Sequence, residues 1–418
     1  MTEEKTSQSG PLSGIRILDL SRVLAGPWAT QVLGDLGADV VKIERPGPGD
    51  DTRTWGPPWL ETEEGPLSGY FLACNRNKRS LAVDISVPEG ADIVRKLALE
   101  ADVVVENFKV GALARYGLDY ESLRRINPRL IYCSVTGFGQ DGPYAERGGY
   151  DFLVQGMGGL MSITGPETGE PTKVGVPVVD LFTGLYAVIA IQAALRHRDR
   201  TGEGQAIDCA LLDTCVAVLA NQSMNWLVGG RIPKPLGNGH PNVVPYRTFA
   251  ASDGHLIVAI GNDGQFRGFC RLLGRGDLAE HPDYSSNAGR VANRTTLEEA
   301  LAMEIAGYRS ADLLELMNAA GIPGGPINRL DQVFSDPQVE ARGMVECFGM
   351  ETGGEMRLTR FPARLSASPT SIRSLPQPLG AASREILATL GFGPERLDDL
   401  KQRGIVEMPE TASAREET

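Results

Sequence analysis

Asp180 is the side chain whose surroundings in the sequence best suit chemistry. It follows the apolar run Val174–Val179 and precedes the apolar segment Leu181–Leu195, which ends beside basic residues 196–198. The pattern predicts an extended stretch and then a helix that begins at Asp180, because aspartate is a preferred N-cap and cations favour a helix C-terminus. Free N–H groups there would stabilise the charged carboxylate, and Gly184 would leave room for a ligand. From this stretch alone, the simpler interpretation is that Asp180 only caps a buried helix.

Basic side chains recur at predicted strand ends and turns in the first part of the chain. They are Arg45, Lys78, Arg79, Lys109, Arg115 and Arg147. Together they would suit a polyanionic ligand, such as a nucleotide with a diphosphate and a further phosphate, because each phosphate needs charge-assisted donors. Scattered surface charge is an equally simple alternative. No P-loop motif occurs, so a transferable γ-phosphate is not indicated.

Histidines and cysteines show no metal-binding pattern. The four histidines have no HxxxH spacing, and the six cysteines form no CxxC pair. The sequence therefore predicts no metal site. Scattered cysteines also favour reduced thiols, and hence a cytoplasmic protein.

The elements that must hold these side chains begin with a βαβ unit. Strand 14–20 leads through the turn Ala25-Gly26-Pro27 into helix 28–36, and strand 38–43 follows. The order predicts a parallel, doubly wound sheet of the α/β class. The turn lacks GxGxxG, so it is not a dinucleotide fingerprint. Ligands of such sheets lie beyond the carboxyl ends of the strands, which places residues 24–26 and 44–45 beside a site.

The later chain suggests a second, smaller domain, as expected for 418 residues. Further sheet strands are predicted at 80–85, 102–106 and 130–135, with a helix at 88–100, and a strand and one long helix within 201–227. An antiparallel pair at 244–250 and 255–260 and helices at 266–273, 297–306 and 311–320 form an α+β domain between Gly/Pro-rich linkers. The tail adds strands at 355–358 and 363–365 and helices at 383–390 and 395–403. The predicted domains are therefore 1–228 with 327–418, and 229–326.

Charge and hydropathy narrow the class of partner. The net charge is −12, which argues against nucleic acid or an anionic membrane. The first ten residues have no apolar core of a signal peptide, and the apolar run 181–195 is too short to span a bilayer.

Several ordered motifs resemble the class III CoA-transferases, the CaiB/BaiF family. They include LDLSRVLAGPWATQVLGDLGADVVKIERPGPGDDTR, NRNKRSLAVD, ADVVVENF, GLDYESLRRINPRLIYCSVTGFGQDGP, TGLYA after Asp180, and TGEGQAIDCALLD. The resemblance runs from about Leu12 to the tail. Within the family, GPPWL, CNRNKRSLAVDI, ITGPETGEP and VVPYRTF look most like the succinate–hydroxymethylglutarate CoA-transferases, which act on glutarate-type dicarboxylates.

This resemblance implies a fold, an assembly and a reaction. The fold is a Rossmann-like large domain built from both chain ends plus a smaller domain, in an interlocked homodimer. The reaction moves CoA from an acyl-CoA, with succinyl-CoA the expected donor, to a free carboxylic acid, expected to be a dicarboxylate. The catalytic aspartate of the family falls on Asp180, which would form an anhydride and then a CoA thioester. Coenzyme A is a co-substrate and no metal is implied.

The resemblance also assigns residues. Contacts to CoA fall on Leu24, Ala25, Arg45, Val83, Asp84, Ile85, Ser86, Asn107, Phe108, Lys109, Arg115, Arg147, Gly148, Gly149 and Tyr150. A glycine-rich loop that covers the reacting carboxylate falls on Gly261, Asn262, Asp263, Gly264 and Gln265. Two departures are that some members have more glycine at 262–263, and that many have Gly-Glu-His where this chain has residues 379–382.

Alternatives stay open at this stage. A related α-methylacyl-CoA racemase would need a histidine where this chain has Tyr150, and neutral tyrosine is a poor base. A non-catalytic CoA-binding subunit of a hetero-oligomer is the second alternative. Asp151 and Gln140 are candidate polar neighbours of Asp180. Arg147 could bind a substrate carboxylate instead of CoA, and the acid that accepts CoA is not fixed.

Overall fold

The computed structural model describes residues 10–62, 65–350 and 354–409. Its strands are β1 (Arg16–Asp19), β2 (Asp39–Glu44), β3 (Trp59–Leu60), β4 (Leu67–Ser68), β5 (Lys78–Val83), β6 (Val103–Glu106), β7 (Ile131–Thr136), β8 (Ala206–Ala210), β9 (Tyr246–Ala251), β10 (Gly254–Ala259), β11 (Gly324–Pro326), β12 (Val345–Gly349), β13 (Glu355–Thr359) and β14 (Val406–Glu407).

The helices alternate with these strands through most of the chain. They are α1 (Ala25–Asp35), α2 (Gly69–Cys74), α3 (Pro88–Glu100), α4 (Tyr120–Ile126), α5 (Asp151–Met157), α6 (Val178–Thr201), α7 (Leu211–Val218), α8 (Ala220–Leu227), α9 (Asp263–Leu272), α10 (Gly276–Ala279), α11 (Asn287–Ala292), α12 (Arg294–Ile305), α13 (Ser310–Ala319), α14 (Leu330–Phe334), α15 (Pro337–Ala341), α16 (Ser383–Thr389) and α17 (Pro394–Gln402).

A seven-stranded, mostly parallel sheet is the main element of the fold. Its order is β14-β5-β2-β1-β6-β7-β8, and all neighbouring pairs are parallel except β14 with β5. The inner strands are short apolar runs because helices cover both faces of such a sheet. The predicted parallel α/β sheet is confirmed. The two-residue edge strand β14 was not predicted, because so short a segment has no periodicity.

The chain divides into two compact units. The first unit runs through Gly159 and also includes Val174–Ser223 and the chain from Arg342 onward, and the second consists of Leu160–Lys173 and Met224–Ala341. The prediction gave the smaller domain residues 229–326, whereas the second unit runs from 224 to 341. It also contains residues 160–173, which were predicted to lie in the large domain. Helices α16 and α17 pack Ile386, Leu397 and Leu400 into the core of the large sheet, which ties the end of the chain to the first unit.

The second unit has its own core. Strands β9, β10 and β11 form an antiparallel sheet in the order β11-β10-β9. Phe249, Leu256, Phe269, Leu301 and Met317 lie in one buried cluster that joins this sheet to α9, α12 and α13. An α+β unit of this kind was predicted from the antiparallel pair and the helices after it.

Several predicted bounds of helices and strands are wrong. Residues 25–27 are the first turn of α1 and not a separate turn, and β5 begins at Lys78 and not at Ser80. The predicted long helix after β8 is divided between α7 and α8, where Ala220 has a φ of 47°. Residues 363–365 form no strand, because the partner of β13 is β12, with Phe348 opposite Met356.

Helix α6 is long and apolar enough to cross a membrane by length and composition alone. Forty-four per cent of its most apolar window is buried within the structure. A core helix of a soluble protein passes the same test, so a single helix of this kind is weak support for a membrane span.

Candidate functional site

Asp180 lies in the first turn of α6 and is not its N-cap, so the predicted capping role is wrong. The helix begins at Val178, two residues earlier. The buried carboxylate of Asp151 takes the capping role from another helix: its Oδ1 accepts the N–H of Val179 at 2.8 Å and that of Asp180 at 3.3 Å. Gln155 Nε2 donates to the other oxygen of Asp151 at 2.6 Å. Asp151, a predicted neighbour of Asp180, therefore positions the helix start that carries it.

The carboxylate of Asp180 is consequently left available. Among the described residues no side chain donates a hydrogen bond to it or forms an ion pair with it, although it is only partly exposed. Burial, and next the negative charge of Asp151, raise the pKa of Asp180 to about 7. A carboxylate that is poorly solvated and unpaired is more reactive toward an electrophilic carbonyl than one held by donors.

Gly184 serves packing between helices, and the prediction that it leaves room for a ligand is wrong. A Cβ at this position would lie 2.7 Å from the Ala25 carbonyl oxygen and 3.1 Å from Trp28 Cδ1. The glycine therefore lets α6 approach the start of α1 closely, which brings Asp180 and the Leu24–Ala25 segment to one place.

Gly184→Ala should therefore loosen this contact. We expect a loss of about 1–3 kcal/mol in unfolding free energy, because overpacking against backbone forces the two helices apart. Chemical denaturation with a circular dichroism readout measures the loss. Gly175→Ala is the control, because a Cβ there meets no atom within 4 Å. Equal stability of the two variants would contradict this role of Gly184.

Two neighbouring cavities of the first unit contain Asp180 and the predicted CoA-contact residues. Asp180 lines a cavity of about 200 Å³ together with Leu24, Ala25, Asn107, Phe108, Lys109, Arg147, Gly148, Gly149 and Tyr150. Arg45, Val83, Asp84, Ile85, Ser86, Phe108 and Arg115 line a second cavity of about 320 Å³. Arg22 and Phe108 belong to both cavities. The predicted contact residues thus lie in one region, and their contact with CoA stays a prediction.

The two cavities contain four of the six cations that the sequence suggested. Lys78 is buried and donates to Asp19 Oδ2 at 2.9 Å, and Arg79 pairs with Asp39 at 2.6 Å. Neither lines the two cavities, so both leave the predicted anion site. The other four cations, Arg45, Lys109, Arg115 and Arg147, line them and have no ion pair within the part of the chain that the structure describes.

Arg22 is a site residue that the sequence argument missed. Its guanidinium lies 5.3 Å from the centre of the Phe108 ring, and its Nη1 is 3.3 Å from Asp51. It follows β1 at the carboxyl edge of the sheet, which is the same signal that identified Arg45 after β2. Tyr70 was missed because nothing in its sequence context points to Asp180. Burial, and next the nearby Asp180 charge, raise the pKa of Tyr70 to about 12.

Two other predicted site features are placed differently. Gln140 does not line the cavity of Asp180, and its backbone N–H donates to Asp208 at 2.8 Å. Residues 261–265 are not a free glycine-rich loop: α9 begins at Asp263, and Asn262 caps it by accepting the N–H of Gln265 at 2.9 Å. The predicted role of this segment over the reacting carboxylate stays a prediction. No cluster of three metal-ligating side chains occurs among the residues that the structure describes.

Comparisons with known proteins identify the family of this chain. The family model described as CoA-transferase family III matches residues 12–383. A succinate–glutarate CoA-transferase of Agrobacterium fabrum is 52% identical over 91% of this chain and 96% of its own length. The human succinyl-CoA:glutarate CoA-transferase is 44% identical over 96% of this chain and 91% of its own. A solved CaiB/BaiF family protein from Brucella suis has a TM-score of 0.82 at 51% identity, covering 92% of this chain and 100% of that one.

Proposed function

We propose that this chain, which belongs to CoA-transferase family III and is an enzyme of that class, moves CoA between succinyl-CoA and a free dicarboxylate, with glutarate as the first candidate. The substrate class comes from the activities of relatives that match nearly the whole chain. The unpaired, poorly solvated carboxylate of Asp180 is the observation that carries the mechanism.

Asp180 acts as the covalent nucleophile. Its carboxylate oxygen attacks the thioester carbonyl of succinyl-CoA, which forms a mixed anhydride and expels CoA as a thiolate. The thiolate then attacks the aspartyl carbonyl, which releases succinate and leaves an aspartyl-CoA thioester. An acceptor carboxylate attacks that thioester, which forms a new anhydride with Asp180 and expels the CoA thiolate. The thiolate finally attacks the acceptor's acyl carbonyl, which gives the new acyl-CoA and regenerates the Asp180 carboxylate. Each step exchanges one acyl bond for another, so one difficult exchange becomes several easier ones.

The electrostatics around Asp180 support this role. Because no side chain in the described part of the chain donates to its carboxylate, the attacking oxygens keep their electron density. The partly buried position limits water that would hydrolyse the anhydride. Asp151 cannot easily replace it, since its two oxygens accept hydrogen bonds from Val179 and Gln155. Asp180 is therefore the nucleophile, and Asp151 caps the helix that carries it.

The nucleotide part of CoA occupies the cavity lined by Arg45 and Arg115. Arg115→Gln should raise KM for succinyl-CoA about 10- to 100-fold, because a hydrogen bond between charged groups contributes about 1.5–3 kcal/mol. The turnover number should change little, since this side chain is not at the reacting carbonyl. Initial rates over a range of succinyl-CoA concentrations measure both constants.

Arg124→Gln is the matched control for that measurement. Arg115 lies 4.5 Å from the ring centre of Tyr116, and Arg124 lies 5.6 Å from that of Tyr120, but Arg124 lines neither cavity. We expect its KM to equal that of the wild type. An unchanged KM in Arg115→Gln would remove Arg115 from the CoA site.

A racemase is the rival within the same superfamily. Tyr150 stands where a racemase would need its basic histidine, and the residue is 68% exposed. Incubating a 2-methylacyl-CoA with the enzyme in deuterium oxide should give no label at the α-carbon, and rapid incorporation would favour racemisation. A non-catalytic subunit, the other rival, would show no transfer with any acid.

We also propose the interlocked homodimer that the family resemblance implies, and a cytoplasmic location. Exposed apolar side chains of α6, among them Phe182, Tyr186 and Ile189, would be covered in such a dimer. The six cysteines are thiols and not disulfides, and five of them are buried, which suits a reducing compartment. Sedimentation equilibrium of the purified chain gives the mass, and a monomer would refute the dimer.

A screen of carboxylic acids tests the proposed function directly. The enzyme is incubated with succinyl-CoA and one acid at a time, and new CoA esters are identified by mass spectrometry. We expect glutarate or a close dicarboxylate to react fastest, and a monocarboxylate of equal length to react poorly. Failure of every dicarboxylate would refute the proposal.

A further inference from the structure

Val23 has a backbone conformation that β-branched residues rarely adopt. Its φ is 70°, in the left-handed region, and it lines the cavity that contains Asp180. A β-branched residue at such a φ is a genuine outlier, so surrounding contacts must hold it there. Strained backbone of this kind concentrates at functional sites, where it fixes the position of neighbouring groups.

The contacts that hold Val23 come partly from buried charged residues. Asp50 Oδ1 accepts the N–H of Val23 at 3.3 Å, and Lys42 Nζ donates to the Ser21 carbonyl at 3.0 Å. Lys42 and Asp50 also pair with each other at 2.8 Å. The two residues form a buried support for the backbone of residues 21–23.

Asn107 completes the support from the neighbouring strand end. Its Oδ1 accepts the N–H of Arg22 at 2.9 Å, and its Nδ2 donates to the Arg22 carbonyl at 2.7 Å. Both polar atoms of one side chain therefore bind the peptide groups on either side of Arg22, immediately before Val23. The amide is fully oriented by the protein itself, with each atom engaged.

We propose that Asn107 is a positioning residue for the transfer reaction, which holds the Arg22–Val23 backbone in its strained form and so fixes the Leu24–Ala25 wall of the Asp180 cavity. This inference rests on the proposed function. It differs from the role that the family resemblance implies for Asn107, which is contact with CoA. Here the side chain acts through the backbone of Arg22 and Val23.

A double-mutant cycle separates the two roles. Asn107→Ala should lower kcat roughly 30- to 100-fold, because small misplacement of site groups costs about that much. Val23→Gly removes the strain, since glycine adopts a positive φ without steric cost. In Asn107→Ala/Val23→Gly the backbone can keep its conformation without the clamp, which is the pair of hydrogen bonds between Asn107 and the Arg22 backbone. We therefore expect kcat to recover at least about 5-fold relative to Asn107→Ala alone. No recovery would mean that Asn107 acts by direct contact with substrate, and would overturn the proposal.

Thermal melting of the same four proteins gives a readout that needs no transfer activity. The fall in Tm caused by Asn107→Ala should be smaller in the Val23→Gly background, and equal falls in both backgrounds would also overturn the proposal. If the wild type forms no new CoA ester, the proposed function fails, and this melting cycle still tests the clamp.

Asn127→Ala is the structural control. Asn127 also binds backbone with both polar atoms, donating to Ala98 and Ala101 and accepting the N–H of Arg129. It lies outside both cavities. We expect a lower Tm with kcat unchanged, which shows that loss of asparagine–backbone bonds does not by itself reduce turnover.

Discussion

Asp180→Asn is expected to abolish CoA transfer, with kcat reduced by about 10⁴-fold or more, as for loss of other covalent nucleophiles. The amide has nearly the shape of the carboxylate but has no negatively charged oxygen to attack a thioester. Steady-state rates with succinyl-CoA and glutarate measure the loss. Intact mass after incubation with succinyl-CoA, followed by hydroxylamine, should show an adduct on the wild type and none on the variant.

Asp213→Asn is the matched control for this substitution. Asp213 is the third residue of α7, as Asp180 is the third residue of α6, but its side chain is exposed and does not line the cavity. We expect full activity in this control. Full activity in Asp180→Asn, or an adduct on another residue, would assign the nucleophile elsewhere.

The fold could be predicted from the sequence wherever local signals agreed. The predicted bounds of α3, 88–100, match the structure because Pro88 provides a helix start and the preceding strand ends in a turn. The parallel strands were predicted from apolar runs separated by helices. Bounds were less accurate where one signal dominated, as at residues 25–27, where glycine and proline suggested a turn within what is the first turn of α1.

The candidate site could be predicted in its parts but not in its arrangement. Asp180 was identified from its place before an apolar helix, yet its cap is Asp151, which is 29 residues away in sequence. Likewise, Lys78 looked like a free cation, and only the sheet register brings it to Asp19, 59 residues earlier. Contacts between distant residues have no local pattern, so burial and pairing of charges required the structure.

The activity should increase with pH through about 7. Only ionised Asp180 can attack, and burial together with the Asp151 charge raises its pKa to about 7 in the free enzyme. The free-enzyme pKa appears in the pH profile of kcat/KM. We therefore expect kcat/KM for succinyl-CoA to rise about tenfold per pH unit below the midpoint and to level off above it. Asp151→Asn removes the like charge while keeping an acceptor for Val179, so its midpoint should move to lower pH.

The contribution of Asp180 to stability should decrease with pH over the range in which the activity increases. A carboxyl group whose pKa is about 7 when folded, against an ordinary value of 3.8, binds its proton more tightly in the folded chain. Its contribution to stability is therefore complete below 3.8 and is lost as pH rises to about 7, at no more than about 1.4 kcal/mol per pH unit. Asp180→Asn lacks this titration. The Tm of the variant minus the Tm of the wild type should therefore increase between pH 5 and 7 and stay constant above pH 7. A constant difference across the whole range would show that Asp180 is not poised near neutral pH, and would remove the electrostatic basis for its reactivity.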